Sequence, residues 1–361
     1  GLGVFFLILL SPNPESLSPI GWAVAGVTLL MAIWWATEAV PVAVTALLPL
    51  ALFPMLHVTD FKTAALPYAN PNIYLFMGGF ILALGIESSG LHKRLALKML
   101  IAIGNSGAKL VGGFMLVSAL ISMWVMNTST TLMLLPIGLA VCASVAETIP
   151  NFSSKERKNF ETSLLLGIAY AASIGGMSTL VGTAPNIIFV GFMQETYGTE
   201  ISFVDWMKLG VPIASIMLFA SWYAITKIVY PVHFVASMET KLQLQNMLSD
   251  LGALGKDEKK VLIIFSLAAS AWMFRTLLDN FLPLSGLTDA GIAIFAALSF
   301  FFIPSENNKT DLLTWEQANK LPWGLLVLFG GGLSLAASIG SSGLGDWIGQ
   351  GLTVLGNVPP I

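Results

Sequence analysis

Five consecutive polar residues interrupt an apolar stretch, and their side chains suit the binding of small ions. Residues 127–131 read NTSTT and lie midway along the apolar segment 109–146. The amide of Asn127 can offer its oxygen to a cation and its nitrogen to a carboxylate, and the hydroxyl of Thr128 can serve either ion. Such a run is predicted to line a binding site, or else to form helix caps and interhelical hydrogen bonds.

The backbone at this run adds further ion-binding groups. If the chain turns here, a helix that ends near Met126 points its carbonyl oxygens at the turn, and a helix that begins near Ser129 points its free N–H groups there. A carbonyl end attracts a cation and an N–H end attracts an anion. The turn is therefore predicted to hold a cation and an anion together.

A second polar stretch interrupts what would otherwise be one helix over residues 163–193. Residues 175–186 read GGMSTLVGTAPN. Gly175 and Gly176 let the backbone unwind and approach an ion closely, and Pro185 disrupts the preceding turn. An unwound helix exposes carbonyl oxygens that can coordinate sodium. The alternative is a proline kink with glycine packing.

Other candidate motifs carry no chemistry on this reading. Glu38 is interpreted as structural, and Arg275 is predicted to pair with Asp279 one turn away. Residues 343–346 match the Gly-x-Gly-Asp of intramembrane aspartyl proteases, but the Tyr-Asp that such a protease needs does not occur in the sequence. Walker A, His-Glu-x-x-His and Gly-x-Ser-x-Gly motifs are also absent. The chain is therefore predicted not to be an enzyme, and no catalytic residue is assigned.

Composition indicates the surroundings in which these segments fold. The chain has 361 residues, of which 55% are hydrophobic and 10% are charged. Soluble globular proteins carry about 25% charged residues, so this chain is too poor in charge to cover a water-facing surface. The basic tracts of nucleic-acid-binding proteins are missing as well. An integral membrane protein without a nucleic-acid partner is predicted, with the lipids of the membrane around it.

Seven segments are candidate membrane-spanning helices, because about 20 apolar residues cross a bilayer at about 1.5 Å per residue. They are residues 20–36, 40–56, 73–89, 207–230, 261–278, 289–303 and 321–338. The fold class predicted is therefore an all-α membrane protein with several spans.

Loop charges predict which ends of the helices are cytoplasmic, since Lys-rich and Arg-rich loops stay inside. The clusters are Lys93, Arg94, Lys98 and Lys109; Lys155, Arg157 and Lys158; and Lys241, Lys256, Lys259 and Lys260. The first two clusters flank segment 109–146, which must then leave the cytoplasm and return to it. Two short spans would do this, but arms of about 17 and 16 residues favour a re-entrant hairpin.

Three amphipathic stretches, residues 91–104, 233–251 and 344–355, are predicted to be helices in the membrane interface. Their Lys and Arg side chains would snorkel towards water. Ordinary cytoplasmic loops are the alternative.

One stretch of sequence occurs twice. Residues 75–91 read LFMGGFILALGIESSGL and residues 328–344 read LFGGGLSLAASIGSSGL, with 11 of 17 positions identical at a constant offset of 253. Counting crossings gives the two copies opposite orientations, which is the inverted repeat common in secondary transporters. By this symmetry a second polar hairpin is expected near residue 380, so about a hundred further residues are expected in the natural protein.

Three motifs together resemble one family. Residues 35–41 (WATEAVP), the Asn127-Thr128 tip and residues 182–186 (GTAPN) look like the divalent anion–sodium symporters, the INDY-type dicarboxylate carriers. The resemblance covers nearly the whole chain. It implies a homodimer that works as an elevator, in which a transport domain slides against a scaffold.

The resemblance also implies which residues bind sodium. Family ligands correspond to Ser122, Asn127 and the backbone of Gly175 and Gly176. The family tip usually reads Ser-Asn-Thr, and Met126 stands here in place of the serine, so the backbone carbonyl of Met126 is expected to substitute for the missing hydroxyl.

Substrate contacts of the family correspond to Asn127 and Thr128, with Ser129 and Thr183 beside them. The expected domains are a scaffold of residues 1–105 and 196–361 and a transport domain of residues 106–195. The expected activity is symport of sodium with a C4-dicarboxylate such as succinate, in a bacterial inner membrane. A sulfate or citrate carrier of the same fold and an anion channel are the alternatives.

Overall fold

The computed structural model describes residues 1–102, 106–149, 152–235, 238–275, 277–278, 286–306 and 310–355. Within these residues the regular structure is helical, apart from two isolated β-bridges. The predicted all-α class is therefore confirmed.

The α-helices of the first half range from the 4 residues of α3 to the 22 residues of α9. They are α1 Leu2–Leu10, α2 Pro19–Thr37, α3 Val42–Thr45, α4 Leu48–Met55, α5 Phe61–Ala65, α6 Pro71–Ser89, α7 Leu91–Ala102, α8 Gly107–Ser122 and α9 Asn127–Thr148. A 3₁₀-helix, Leu66–Ala69, joins α5 to α6.

The second half is also helical. Its helices are α10 Ser154–Gly176, α11 Ala184–Tyr197, α12 Phe203–Tyr223, α13 Met238–Asp250, α14 Lys256–Met273, α15 Asp289–Phe302, α16 Trp315–Ala318, α17 Trp323–Ser341 and α18 Leu344–Leu355. A π-helical segment, Ala224–Val229, extends α12.

Five helical segments among the described residues are long and apolar enough to cross a membrane. They are Pro19–Thr37, Phe61–Ser89, Asn127–Thr148, Phe203–Val229 and Trp323–Ser341. Shorter apolar helices include α8, with 16 residues, and α15, with 14.

Two sequence predictions of helix length were wrong. The single span expected over residues 40–56 is broken between α3 and α4, because Pro49 has no N–H to continue a helix and is instead favoured in the first turn of α4. Helix α9 begins at Asn127 rather than Ser129 and runs for 22 residues, which is long enough to cross. Whether α8 and α9 form a re-entrant hairpin remains a prediction.

The chain forms two compact units. Unit 1 contains residues 1–74, 188–201 and 322–361, and unit 2 contains residues 75–187 and 202–321. A buried apolar cluster that includes Val24, Met31 and Phe53 is the core of unit 1. In unit 2, helices α8, α9 and α10 pack on one another through fully buried side chains such as Phe114 and Leu164.

The three amphipathic stretches are helices α7, α13 and α18, as predicted, and their place in the membrane interface remains a prediction. The expectation that Arg94 snorkels from α7 was wrong, because Arg94 is only 6% exposed. Its guanidinium donates to Glu258 Oε1 (2.8 Å) and to three backbone oxygens, those of Gly252 (2.8 Å), Leu251 (3.0 Å) and Ala253 (3.1 Å). Arg94 therefore fastens α7 to the turn that precedes α14.

Candidate functional site

The polar run forms the turn between α8 and α9. Helix α8 ends at Ser122 and α9 begins at Asn127, with four residues between them. Ser122 is fully buried, and its hydroxyl donates to Asn127 Oδ1 at 2.7 Å. This hydrogen bond places two side-chain oxygens side by side at the carbonyl end of α8, an arrangement that favours a cation.

The N-terminus of α9, which follows this turn, has no side-chain cap. Met126 is the N-cap residue, and its side chain caps no N–H; its carbonyl oxygen accepts from Thr130 N (3.0 Å). Thr128 is exposed and Ser129 is half-buried. Among the described residues, neither of these two hydroxyls takes part in a hydrogen bond. Uncapped N–H groups and two available hydroxyls at the positive end of a helix suit an anion.

The second polar stretch is the loop between α10 and α11, residues 177–183, so the predicted interruption of the helix is confirmed. Asn186, in the first turn of α11, is buried and closes this loop. Its amide nitrogen donates to Gly176 O (2.9 Å) and to Thr179 O (2.6 Å). The hydroxyl of Thr179 accepts from Gly182 N (3.1 Å). The loop is thus held open as a defined turn rather than a continuous helix.

The two polar stretches are in direct contact inside unit 2. A Cβ atom added to Gly176 would lie 2.5 Å from Asn127 Oδ1, and one added to Gly175 would lie 2.2 Å from Ala119 O. Only glycine permits so close an approach of α10 to the turn. Across the same contact, the hydroxyl of Thr179 donates to Met123 O.

Aromatic side chains hold both stretches from outside. The indole of Trp206 on α12 donates to Met177 O at 2.9 Å. In the α8–α9 turn, Trp124 stacks on Phe203, with ring centroids 5.8 Å apart, and on Trp272, at 6.3 Å. The turn and the loop are therefore braced by helices α12 and α14 of unit 2.

Asn127, predicted to contact both sodium and substrate, lies at the centre of the site, whereas the other predicted substrate contacts, Thr128, Ser129 and Thr183, lie around it. Of the predicted sodium ligands, Ser122, Asn127 and Gly176 meet at the contact described above, while Gly175 lies next to it against Ala119 of α8 and Met126 is the N-cap of α9. Thr183 is half-buried at the start of α11, and no hydrogen bond among the described residues joins its hydroxyl to the others.

Sequence reasoning missed three residues that shape the site, namely Thr179, Asn186 and Trp206. Thr179 and Asn186 lie inside the polar stretch 175–186. A hydroxyl and an amide side chain in a glycine-rich stretch could have marked them as residues that hold the loop. The role of Trp206 depends on tertiary packing, which no local pattern reports.

The oxygen atoms that could coordinate an ion at this site are uncharged. The part of the chain that the structure describes contains no group of three or more His, Cys, Asp or Glu side chains that could hold a metal ion. Amide, hydroxyl and carbonyl oxygens suit a hard cation rather than a transition metal.

The remaining motifs lie elsewhere. Arg275 has its Nη1 atom 3.5 Å from Asp289 Oδ1, while its predicted partner Asp279 lies outside the described residues. Cys142 is buried on α9. Asp346 lies in the first turn of α18.

Comparison with known families identifies the class of protein. The model of the sodium:sulfate symporter transmembrane region matches residues 2–358, and the chain belongs to this family. The resemblance inferred from the sequence is thereby confirmed, as is the prediction of a membrane transporter with several spans.

Two relatives are similar over almost the whole chain. The sodium-dependent dicarboxylate transporter SdcS of Staphylococcus saprophyticus is 41% identical over 99% of this chain and 70% of its own length. The protein of the same name from Staphylococcus aureus is 39% identical over 99% of this chain and 70% of its own length.

Proposed function

We propose that this chain is a sodium-coupled secondary transporter that takes up a C4-dicarboxylate such as succinate. The observation that carries the proposal is the contact of Asn127 Oδ1 with Gly176, which joins two helix breaks lined by neutral polar groups. The names of the relatives from Staphylococcus support the coupling ion and the class of substrate.

Sodium is proposed to bind at the carbonyl ends of α8 and α10. Its ligands are the side-chain oxygens of Ser122 and Asn127 and the carbonyl oxygens of Gly175 and Gly176. The Gly176 oxygen accepts one hydrogen bond from Asn186 and keeps a second lone pair for the ion. The Met126 carbonyl likewise accepts one bond, from Thr130 N, and retains a lone pair.

The substrate is proposed to bind at the N–H ends of α9 and α11. The amide nitrogen of Asn127 and the hydroxyls of Thr128, Ser129 and Thr183 would donate to a carboxylate. Because no cationic side chain belongs to this set, the anion's charge would be offset by the helix ends and by sodium bound next to it. Sodium should therefore bind first and raise the affinity for the anion.

Transport is proposed to follow an elevator mechanism in a homodimer in a bacterial inner membrane, surrounded by lipid. Residues 106–195 would move against a scaffold of residues 1–105 and 196–361, and the contacts of Met177 and Trp124 with helices α12 and α14 would have to break during that movement. The hydrogen bonds from Thr179 to Met123 O and from Ser118 to Ile168 O (2.8 Å) support movement of the hairpin and the interrupted helix as one body.

The test is uptake of radiolabelled succinate into proteoliposomes that contain the full-length protein, with and without an inward sodium gradient. Accumulation should require sodium and should be lost in Asn127→Ala. The matched control is Asn246→Ala on the exposed face of α13, which should transport like the unmodified protein.

Three other outcomes would redirect or refute the proposal. Sodium-driven accumulation of sulfate or citrate instead of succinate would change the substrate and keep the coupling. Downhill flux without sodium-dependent accumulation would indicate a channel. Failure with all three anions would contradict sodium-coupled anion transport.

A further inference from the structure

One buried hydroxyl of α9 has no hydrogen-bond partner among the described residues. Thr130 is 0% exposed, and its Oγ1 atom neither donates nor accepts. Buried side-chain polar atoms are nearly always hydrogen-bonded, and an exception calls for an explanation such as a bound ion.

Neighbouring residues of the same helix show how such hydroxyls are normally satisfied. Thr131 donates to Asn127 O (2.8 Å) and Thr148 donates to Ser144 O (2.8 Å), each to the carbonyl four residues earlier. Ser144 is paired with Thr240 on α13 at 3.3 Å. The hydroxyl of Thr130 does not form the corresponding bond to Met126 O, so its lone pairs and its hydrogen remain available.

The direction of Thr130 follows from contacts above and below it on α9. At one end Asn127 Oδ1 lies against Gly176, and at the other a Cβ added to Gly138 would lie 3.2 Å from Ile168 Cδ1. Residues spaced three or four apart share a helix face, so Asn127, Thr130 and Gly138 all belong to the face that packs on α10. Thr130 therefore faces the last turns of α10, one turn from the Asn127–Gly176 contact.

We infer that the Thr130 hydroxyl is a further oxygen ligand for the sodium ion at Ser122, Asn127 and the end of α10. This inference rests on the proposed function and extends it, because Thr130 was not among the ligands expected from the sequence. Hard cations take oxygen ligands, and where water is excluded these must come from the protein. The hydroxyl of Thr130 is such an oxygen, already desolvated and not engaged by the backbone.

Two substitutions separate the hydroxyl from the shape of the side chain. Thr130→Val keeps the branched shape and removes the hydroxyl, while Thr130→Ser keeps the hydroxyl. In proteoliposomes the sodium concentration that gives half-maximal uptake should rise about tenfold in Thr130→Val, which corresponds to about 1.4 kcal/mol of binding free energy, and stay within about twofold in Thr130→Ser. Sodium-induced thermal stabilisation of the purified protein without substrate should shift in parallel.

The matched control is Thr45→Val in unit 1. Thr45 is also 0% exposed, and its hydroxyl likewise has no partner among the described residues. Its removal should leave the sodium dependence unchanged. If Thr130→Val does not fold, Thr130→Ala, which introduces no bulk, provides the same sodium measurement.

The outcomes distinguish this inference from the proposed function. Unchanged sodium dependence in Thr130→Val, or an equal change in Thr45→Val, would overturn the role of Thr130 while leaving sodium-coupled transport intact. Absence of any sodium effect in the unmodified protein would refute the proposed function itself.

Discussion

The two copies of the repeated sequence, one in each unit, have the same local fold but make different contacts with the rest of their unit. In unit 2, α6 ends at Ser89 and α7 begins at Leu91; in unit 1, α17 ends at Ser341 and α18 begins at Leu344. The glycine between the helices has a φ of 76° at Gly90 and 77° at Gly343. The shared Ser-Ser-Gly-Leu ending thus specifies a helix end, a left-handed glycine and the start of the next helix in both places.

The residues that differ decide what each copy packs against. Arg94 on α7 makes one buried hydrogen bond to Glu258 in the first turn of α14 and three partly buried ones to backbone oxygens of the turn before it. The corresponding residue of α18 is Trp347, whose indole donates to the exposed Ser16 hydroxyl at 2.9 Å. The positions that the two copies share therefore determine their local backbone geometry, and the positions that differ determine which residues each copy contacts.

The largest expected difference between the copies concerns these two attachments. Arg94→Met should lower the free energy of unfolding by about 3–5 kcal/mol, because it leaves the Glu258 carboxylate buried without its cation. Trp347→Phe should cost less than about 1 kcal/mol, because its hydrogen bond is exposed to water. Apparent melting temperatures of the detergent-solubilised proteins would measure both. Equal losses would contradict the view that the copies differ in attachment.

A second prediction concerns a close contact that both copies share. A Cβ added to Gly78 would lie 2.6 Å from the backbone of Ala293, and one added to Gly331 would lie 2.2 Å from Ala46 O. Because backbone cannot move aside cheaply, Gly78→Ala and Gly331→Ala should each cost about 1–3 kcal/mol. Melting temperatures should fall in both variants.

The control for this pair is Gly332→Ala, next along α17, where an added Cβ meets no atom within 4 Å. Removing a helical glycine there should stabilise the protein by about 0.5–1 kcal/mol. A loss of stability in this variant as large as in Gly331→Ala would show that close packing is not the cause.

A third prediction uses the shared left-handed glycines. An added Cβ at Gly90 or Gly343 meets nothing within 4 Å, so the cost of alanine there is conformational alone. Gly90→Ala and Gly343→Ala should each lower the free energy of unfolding by about 1–2 kcal/mol, and the two losses should be equal. Thermal unfolding of the two variants side by side would test this equality, and a clear difference would mean that the turns are not equivalent.

Much of the helical layout could be predicted from apolar segment length, because a spanning helix has few alternatives. The break within residues 40–56 could have been predicted too, since Pro49 was visible in the sequence. The exact start of α9 could not, because Asn127 and Ser129 serve equally well as helix starts.

The site was predictable in its parts and not in its assembly. Runs of polar residues in apolar segments indicated Asn127 and Gly176, but their contact depends on how α9 packs on α10. Counting charges treated Arg94 as a snorkelling residue, because its partner Glu258 lies 164 residues away in sequence. Likewise, the pattern NTSTT does not say that Thr130 is buried while Thr128 is exposed.

The smallest expected effect is a pH dependence that comes from a histidine present only in the first copy. His92 on α7, outside the spanning helices, corresponds to Gly345 in the second copy. Burial lowers the pKa of His92 below its usual 6.5, and the neutral ring lies with Nδ1 at 3.1 Å from Ile86 O, to which it can donate.

Protonation of His92 is therefore easier in the unfolded chain than in the folded one. Its contribution to stability is complete above about pH 6.5 and is lost as the pH falls towards the lower pKa of the folded state. His92→Gln should flatten the decline of melting temperature between about pH 7 and 5, and leave the dependence above pH 7 unchanged. An unaltered decline would mean that other groups on α7, or the carboxylates around it, set the acid sensitivity of the first copy.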